Sequence, residues 1–305
     1  MLTVEEVRNF SKPSTIHTMK ALAFDWGGIA ALLALAIYFP NPAVYFFCFI
    51  FIARQQLALA ILMHDGAHGR LFASPFWNNY VGQILTASPL FISMGFYRRL
   101  HLRHHLDPLA PGDPDLSLIG GYPVNGKSFL RKILRDFLGV SFFKFFAYFF
   151  FMKPRRHEGT PPLKVPRADR GPQLGLQSVL LWSVIMNGIL FSGLYLVGHP
   201  LLYITLWMLP MMSPLQILLR IRGITEHAGY APNKDQRLNT RTVLNPLQTF
   251  FFAPHHVNYH IEHHLYPSIP CQNLRQAHHL LKERHSLPEA NIFRSYRPVL
   301  NQLVA

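Results

Sequence analysis

The sequence predicts an all-α integral membrane protein with four transmembrane helices arranged as two hairpins. Three observations favour this fold class: half of the 305 residues are hydrophobic, only 14% are charged, and the apolar residues gather in four long stretches. Soluble domains carry about 25% charged residues, so this chain has too few water-facing side chains for a soluble fold. The 25 Phe and 12 Tyr residues also exclude a disordered chain, because such rings need a core or a lipid around them.

Four apolar stretches are long enough to cross a membrane, because about 20 helical residues span a hydrocarbon core of about 30 Å. They are residues 21–40, 43–63, 176–198 and 201–221. Pro40-Asn41-Pro42 separates the first two, and Gly198-His199-Pro200 separates the last two. Connections this short fit only a tight turn between antiparallel helices, so each pair is predicted to form a hairpin.

The distribution of positive charge predicts the orientation in the membrane. Neither hairpin tip carries Lys or Arg, whereas the N-terminal segment, residues 98–170 and the tail from Arg220 carry nearly all 29. The positive-inside rule then places both termini, and the segments 64–175 and 222–305, in the cytoplasm. A secretory signal is not expected, because the first apolar run begins only at Ala21, after two Glu residues. We expect a single multi-pass domain over residues 1–305.

The net charge of +14 fits either nucleic acid or an anionic membrane surface as the partner. The mean hydropathy of +0.15 favours the membrane, and no nucleic acid partner is expected. Cys48 and Cys271 are too few for a disulfide framework, so we expect reduced thiols in a cytoplasm-facing protein.

The middle segment contains two apolar pieces that are not predicted to span the membrane. Residues 77–97 are interrupted by Gly82, Pro89 and Gly95, which is typical of a re-entrant or surface-lying piece. Residues 137–152 are rich in Phe, which indicates a helix in the membrane interface with lipid-facing rings; a fifth span is the alternative. Residues 155–172 are predicted to form a cytoplasmic loop.

Histidine is the most unusual feature of the composition, because its 17 copies outnumber the 15 acidic residues. Residues at i, i+3 and i+4 share one face of a helix, so clusters with this spacing present their rings together. Pro108 and Pro267 follow two such clusters and are predicted to end their helices. The three clusters hold eight of the 17 residues: His64 and His68; His101, His104 and His105; and His260, His263 and His264.

Clustered imidazoles indicate a metal centre. Neutral imidazole binds Zn, Cu, Fe and Ni, so the residue type alone does not name the metal. One zinc ion uses three or four protein ligands, and eight His in matched clusters are too many for one ion, which favours two metals. His227, just beyond the fourth span, is a predicted ninth ligand; a ring packed at the interface near Arg222 is the alternative.

The three clusters, in this order around two hydrophobic hairpins, resemble the histidine boxes of the integral-membrane fatty acid desaturase superfamily, which also contains acyl hydroxylases and carotenoid ketolases. The resemblance extends over about residues 21–281, and its most specific piece is residues 259–267, YHIEHHLYP. It implies a mushroom-shaped enzyme whose cytosolic helical cap holds two iron ions (Fe²⁺/Fe³⁺) through eight or nine His, with His227 as the extra ligand. The Asn that some relatives carry four residues earlier is Gly223 here, so that detail does not transfer.

The resemblance implies an oxidoreductase that uses O₂ as co-substrate. An unactivated C–H bond resists acids and bases, so breaking it requires a strong oxidant, and two irons share the electrons that O₂ takes up. The leading expectation is a desaturase that introduces a double bond into a long fatty acyl or lipid chain. A hydroxylase, ketolase or oxidative decarboxylase on a fatty acid or other hydrophobic substrate is the alternative. We expect electrons from a separate ferredoxin or cytochrome-b5-type protein.

Several polar residues near the boxes are candidates for supporting roles. Asp65 and Glu262 lie inside boxes and are predicted to accept a hydrogen bond from a ligand imidazole, with a solvent-facing or Arg-paired position as the alternative. His256 and its neighbour His255 are expected beside the ligands or facing the electron donor. The weaker candidates for orienting a ligand are Asp107, Asp113 and Asp115.

The remaining charged groups have structural or surface expectations. Asp25 and Arg54 lie inside the first two spans, where an unpaired charge is costly, and are predicted to pair with each other. Cations expected to hold a phosphate-bearing head group or an acidic redox partner, or simply anionic phospholipid, are Arg98, Arg99, Arg103, Lys127, Arg131 and Lys132. The His residues expected at the solvated surface are His157, His199, His278, His279 and His285.

Two other classes of protein are alternatives. A membrane zinc hydrolase acting on lipid amides would need only three His and an acidic base, and would leave most clustered His without a role. A metal transporter would carry its ligands midway through the spans, whereas these clusters lie at the ends. The sequence contains neither His-Glu-x-x-His nor Glu-x-x-His, which argues against a zincin protease and a carboxylate-rich di-iron bundle.

Overall fold

Four helices of membrane-spanning length form the frame of the protein. The computed structural model describes residues 1–151, 174–230 and 236–305, and these are mostly helical. The long apolar helices are Thr15–Tyr38, Pro42–Ala67, Leu176–Leu196 and Tyr203–His227. The prediction of a mostly helical chain with four helices long and apolar enough to cross a membrane is therefore confirmed. The second and fourth helices continue beyond their predicted ends at residues 63 and 221, so that each carries a predicted metal ligand in its last turn.

The α-helices of the described residues are α1 (Val4–Phe10), α2 (Thr15–Tyr38), α3 (Pro42–Ala67), α4 (Pro75–Val81), α5 (Met94–Leu106), α6 (Leu116–Ile119), α7 (Gly126–Phe137), α8 (Val140–Phe151), α9 (Leu176–Leu196), α10 (Leu209–Met212), α11 (Pro214–His227), α12 (Pro246–Phe252), α13 (His260–Leu265), α14 (Cys271–Glu283) and α15 (Tyr296–Leu303). Two segments are π-helical, Gly82–Ala87 and Tyr203–Met208. The strands β1 (Thr242–Val243) and β2 (Ile292–Phe293) pair in parallel and are an exception to the predicted all-α fold.

The first two long helices begin at side-chain caps and pack along each other. Ser14 Oγ accepts the backbone N–H of His17 at the start of α2, and Asn41 Oδ1 accepts that of Val44 at the start of α3. Such caps satisfy N–H groups that a helix start leaves without intrahelical partners. The turn between α2 and α3 is thus fixed by the same short Pro-Asn-Pro sequence that separates the apolar stretches.

Inside this helix pair, the predicted pairing of Asp25 with Arg54 is confirmed. Arg54 Nη1 lies 3.8 Å from Asp25 Oδ1, and both side chains are buried. His255 supplies a second partner, because its Nε2 lies 2.8 Å from the other carboxylate oxygen. A buried carboxylate with two basic neighbours satisfies the rule that charges in an apolar layer are paired.

The fourth long helix changes its path twice before it ends. The second π-helical segment leads into α10 and then α11, and Pro210 and Pro214 lie in these last two helices. Proline has no N–H to donate to the preceding turn, so it interrupts the regular hydrogen-bond ladder. Asn187 on α9 anchors the irregular part, because its Oδ1 accepts hydrogen bonds from Tyr203 Oη at 3.1 Å and from Trp207 Nε1 at 3.0 Å.

The predicted re-entrant piece, residues 77–97, folds into α4, the first π-helical segment and the start of α5, packed against α3. Arg98, just beyond it, was expected among the surface cations, and that expectation is wrong. Its side chain is buried, and it donates to the carbonyl oxygens of Gly66 and Ala67 and to Asn79 Oδ1, at 2.7–2.8 Å. A guanidinium at a helix C-terminus satisfies carbonyls that have no helical partner. Arg98 therefore joins α5 to the end of α3.

The Phe-rich stretch forms α8, which agrees with the predicted helix over residues 137–152. Residue 152, the predicted loop 155–172 and His157 lie outside the described residues. The preceding helix, α7, is tied to the fourth long helix by an ion pair. Arg220 donates to both carboxylate oxygens of Asp136, and Ser141 Oγ donates to the same carboxylate.

Asp136→Ala should destabilise the protein strongly. The substitution leaves Arg220 buried without its counter-charge, which typically costs about 3–5 kcal/mol. The thermal unfolding midpoint of the detergent-solubilised chain measures the effect. Glu6→Ala is the control, because it breaks the more exposed pair with Arg284 and should change the midpoint little. Equal shifts in the two variants would contradict a stabilising role for the buried pair.

Candidate metal centre

The predicted metal ligands lie at helix ends that meet in one place. His64 and His68 lie at the end of α3, His227 ends α11, and the second and third boxes lie on α5 and α13. Helices α5 and α13 stop shortly before Pro108 and Pro267, as predicted. All nine rings are buried except that of His105, which is half-buried.

The structure brings the nine histidines into two adjoining groups. In the first histidine group, each ring contributes one nitrogen, and these nitrogens lie within 4.8 Å of one another. The second histidine group combines two sets that each meet this criterion and share His227: one with His104 and His264, and one with His260 and Glu226. His105 and His264 link the groups, since their rings stack at 4.2 Å. The first group is His64, His68, His101, His105 and His263; the second is His104, His227, His260 and His264.

Most of the short distances between ring nitrogens fit shared metal ions. Two nitrogens that each lie about 2.1 Å from one ion are about 3.0–3.4 Å apart in octahedral or tetrahedral geometry. In the first group, His105 Nε2 lies 3.0 Å from His101 Nε2 and from His263 Nε2. In the second, His227 Nε2 lies 3.3 Å from His104 Nε2. Its distance of 2.7 Å from His260 Nε2 is shorter than this range, so these two nitrogens would have to move apart to share an ion.

Unpartnered ring nitrogens support the same interpretation. Both nitrogens of His64 and His264, and Nε2 of His68, are buried without a hydrogen-bond partner among the described residues. A buried polar atom without a partner costs free energy, and a bound metal ion would remove that cost. The residues present therefore fit a pair of nitrogen-ligated ions.

Burial keeps most of these imidazoles neutral. It lowers the pKa well below 6.5, and neighbouring His rings lower it further, for His68, His101, His105, His260, His263 and His264. Neutral rings have a free nitrogen lone pair at neutral pH, which metal binding requires. His104 differs: burial lowers its pKa, but the charge of Asp115 and the hydrogen bond to Asp113 outweigh burial and raise it overall.

Asp113, a weaker candidate in the sequence, holds a ligand imidazole directly. His104 Nδ1 lies 3.0 Å from both oxygens of the Asp113 carboxylate. The backbone N–H groups of Leu109 and Asp115 donate to the same carboxylate at 2.8 and 2.9 Å. A carboxylate on Nδ1 fixes the ring and directs Nε2 toward the metal.

Asp65 lies between the first box and α14. Its carboxylate accepts the backbone N–H and the thiol of Cys271, at 3.0 and 2.9 Å, and its Oδ1 lies 3.5 Å from His64 Nδ1. Burial and the neighbouring Asp65 charge raise the pKa of the Cys271 thiol well above its usual value, which keeps it protonated as a donor. Asp65 is thus placed where it faces a predicted ligand.

Glu262 bonds to residues outside the nine clustered histidines, and His256 lies at the surface. The Glu262 carboxylate accepts hydrogen bonds from Thr242 Oγ1 at 2.8 Å and from His278 Nδ1 at 2.5 Å, and neither partner is a clustered histidine. His256 is exposed, and its ring contacts Tyr259. The surface position expected for His278 is wrong, because its side chain is buried against Glu262. His199, His279 and His285 are exposed, as predicted.

Two functional candidates were missing from the sequence interpretation. Glu226 is buried, with its Oε2 3.5 Å from His260 Nε2, and the ring of Tyr97 stacks on His101 at 5.2 Å. A carboxylate inside a helix of membrane-spanning length was an available signal for Glu226, because charged groups at such positions are rare without a role. The sequence contains no comparable signal for Tyr97.

An apolar cavity of about 650 Å³ begins at both histidine groups, where His101, His104, His227 and His260 line it. Phe142, Phe145 and Phe146 of α8 also line it, so the expectation that this Phe-rich stretch is lipid-facing rather than part of a cavity is wrong in part. The other apolar lining residues include Ile61, Met63, Leu90, Leu100, Ile119, Met211, Leu215 and Leu219.

His278→Ala should lower the free energy of unfolding by about 3 kcal/mol, because it leaves the buried Glu262 carboxylate without its basic partner. His279→Ala, at the adjacent exposed position, is the matched control and should have little effect. Thermal unfolding of the two variants in detergent measures the difference. Indistinguishable midpoints would contradict a structural role for His278.

Comparison with known proteins agrees with this geometry. The family model for fatty acid desaturases matches residues 40–298. The chain is 26% identical to the dihydrorhizobitoxine desaturase of Bradyrhizobium elkanii over 275 residues, which cover 87% of this chain and 75% of that protein. It is 23% identical to the sn-1 acyl-lipid omega-3 desaturase (ferredoxin) of a Synechocystis strain over 304 residues, which cover 92% of this chain and 80% of that protein. On this evidence, the chain belongs to the fatty acid desaturase family.

Proposed function

We propose that this chain is an O₂-dependent, membrane-bound non-haem di-iron desaturase that introduces a double bond into a long acyl chain. The observation that carries the proposal is the meeting of nine imidazoles in two adjoining groups at the end of an apolar cavity. A hydroxylase, ketolase or oxidative decarboxylase on a hydrophobic substrate is the second candidate, because it would use the same groups. The relative named as a dihydrorhizobitoxine desaturase supports desaturation as the reaction and extends the range of substrates to be tested.

In this proposal, each histidine group holds one iron ion. When bound, the two irons supply the oxidising power, drawn from O₂, that removes hydrogen from an unactivated carbon. The two groups together offer more histidine ligands than the three or four that a single zinc site in a hydrolase would use. The proposed ligands are His64, His68, His101, His105 and His263 for one ion, and His104, His227, His260 and His264 for the other.

The chain's own residues would orient the ligands and the substrate. Asp113 accepts the Nδ1–H of His104, which leaves Nε2 of that ring for an ion. The ring of Tyr97 stacks on His101 and lines the cavity, so it would hold both a ligand and the adjacent part of the substrate. The apolar wall around Leu100 and Ile119 would exclude water beside the reacting carbon.

We further propose that the long helices form two hairpins in the membrane, and that the remaining helices form a cytosolic cap within one domain over residues 1–305. Both termini and the active site would face the cytoplasm. The concentration of Lys and Arg outside the apolar stretches supports this orientation. The lipid or acyl substrate would then reach the cavity from the membrane.

A separate protein of the ferredoxin or cytochrome-b5 type would supply the electrons. The name of the Synechocystis relative, which specifies ferredoxin, supports the first of these. Exposed cations on the described surface, among them Arg99 and Lys127, suit an acidic partner.

Expression in a host with a defined lipid composition, followed by mass spectrometry of its fatty acids, tests the proposal. We expect new double bonds, and about two iron ions per purified chain by elemental analysis. New hydroxyl groups instead of double bonds would favour the second candidate. A single zinc ion with no iron would overturn oxidation in favour of a lipid-amide hydrolase.

His64→Ala, His104→Ala and His263→Ala should each abolish turnover and reduce the iron content, because each removes a ligand from one of the groups. The variants should still insert in the membrane, which fractionation of the host cells measures. His285→Ala is the control, since His285 is exposed and should keep both iron and activity. Full activity in any of the three cluster variants would refute a shared site.

A further inference from the structure

The cavity has a second polar region, away from the histidines, where three cations accompany one carboxylate. We propose that this region, the cationic end, binds an anionic oxygen group at the head of the substrate's hydrocarbon chain. The inference rests on the proposed function and narrows its substrate class to acids or anionic lipids, excluding neutral lipids and hydrocarbons. The charged residues of the cationic end are Arg135, Lys144, Arg220 and Asp136.

Arg220 is the innermost of these cations, and one of its donors lacks a well-aligned acceptor. Its side chain is buried, and its Nε and Nη2 donate to the Asp136 carboxylate. Its Nη1 and the hydroxyl of Tyr122, which interacts with the same guanidinium, are both buried without a well-formed hydrogen bond among the described residues. Because a buried N–H without an acceptor is costly, an oxygen atom of a bound anion would complete the hydrogen bonding of this guanidinium.

Arg135 and Lys144 continue the positive charge toward the surface. Arg135 is half-buried, its Nε also lacks a partner among the described residues, and Lys144 is exposed at the edge of the cavity. The carboxylate of Asp136 is already bonded to Arg220 and Ser141. One carboxylate therefore does not balance three cations, and the excess charge favours an anion.

At the end of the cavity beside the histidines, the positive and negative side-chain charges are balanced differently. Arg222 Nε lies 2.9 Å from Glu226 Oε1, so the one arginine here has its counter-ion. Asp115 adds another carboxylate to the same wall. Among the described lining residues, the uncompensated positive side-chain charge is thus confined to the cationic end.

The positions of the two ends would determine which carbon reaches the histidines. Arg220 and His227 are seven residues apart on α11, which is about 10 Å along the helix axis. With the head group at Arg220, a carbon several bonds from that group lies beside the histidines, and the carbon next to the group does not. The apolar side chains of Leu215 and Leu219 would contact the intervening chain.

A free fatty acid and an anionic phospholipid can both supply the oxygen group, so the experiment has two arms. Binding of a labelled saturated fatty acid is measured for the full-length protein in phosphatidylcholine nanodiscs, with the methyl ester of the same chain as competitor. We expect the acid to bind about tenfold more tightly than the ester, since the ester loses the charge-assisted hydrogen bonds. In the second arm, phosphatidylglycerol is added to the nanodisc, and its displacement of the acid would identify the lipid phosphate as the preferred anion.

Arg135→Gln should remove most of the preference for the acid, or the displacement by phosphatidylglycerol, while the affinity for the ester stays unchanged. Arg131→Gln is the matched control, because it makes the same change one turn earlier on α7 at an exposed position that does not line the cavity. Lys144→Gln, at an exposed position, serves as a second variant if Arg135→Gln does not fold.

Any one of three results would overturn the inference. The first is equal affinity of the wild-type protein for acid and ester, without displacement by phosphatidylglycerol. The others are an unchanged preference in both cavity variants, and equal effects of Arg135→Gln and Arg131→Gln. Binding is measured without turnover. A failure here therefore leaves the desaturase proposal intact, and a failure to find new double bonds leaves the anion preference intact.

Discussion

The meeting of nine imidazoles in one place, eight of them buried, is the constraint on which the rest of the structure depends. Buried ring nitrogens need hydrogen-bond partners or a metal ion, and several of these have no partner among the described residues. The rings meet only because α3, α5, α11 and α13 end at the same place. Contacts around those ends, such as Asp113 on His104 and Asp65 on the start of α14, hold the rings where a shared ion would bind them.

Much of the candidate site could be predicted because its spacing is local. Histidines three or four residues apart share a helix face whatever the tertiary fold, and a proline beyond them ends the helix. The division into two groups could not be predicted in this way. His104 faces His227 whereas the adjacent His105 faces His263, and this depends on how α5 is rotated against two helices that are distant in the sequence.

The wrong expectations share a physical reason. Arg98 and His278 belong to polar residue types that usually lie at the surface, and their partners are either backbone carbonyls or a carboxylate on another helix. Neither partner leaves a pattern in the neighbouring sequence. Asp25 and Arg54 were predictable because both lie in apolar stretches, where a charge needs a counter-charge. Asp25 and Arg54 were thus recognised from their apolar surroundings, whereas Arg98 and His278 were missed in sequence of mixed polarity.

The bond from Arg98 to the end of α3 has a consequence for how the protein matures. It joins the helix that carries the first box to the helix that carries the second, through contacts that involve no ion. Five of the nine proposed ligands, those of the first and second boxes, are therefore joined by polypeptide contacts alone, whereas His227 and the third box come from the C-terminal half. Each proposed ion site would then be complete only when the segment that carries the last four of these histidines has docked against α3 and α5.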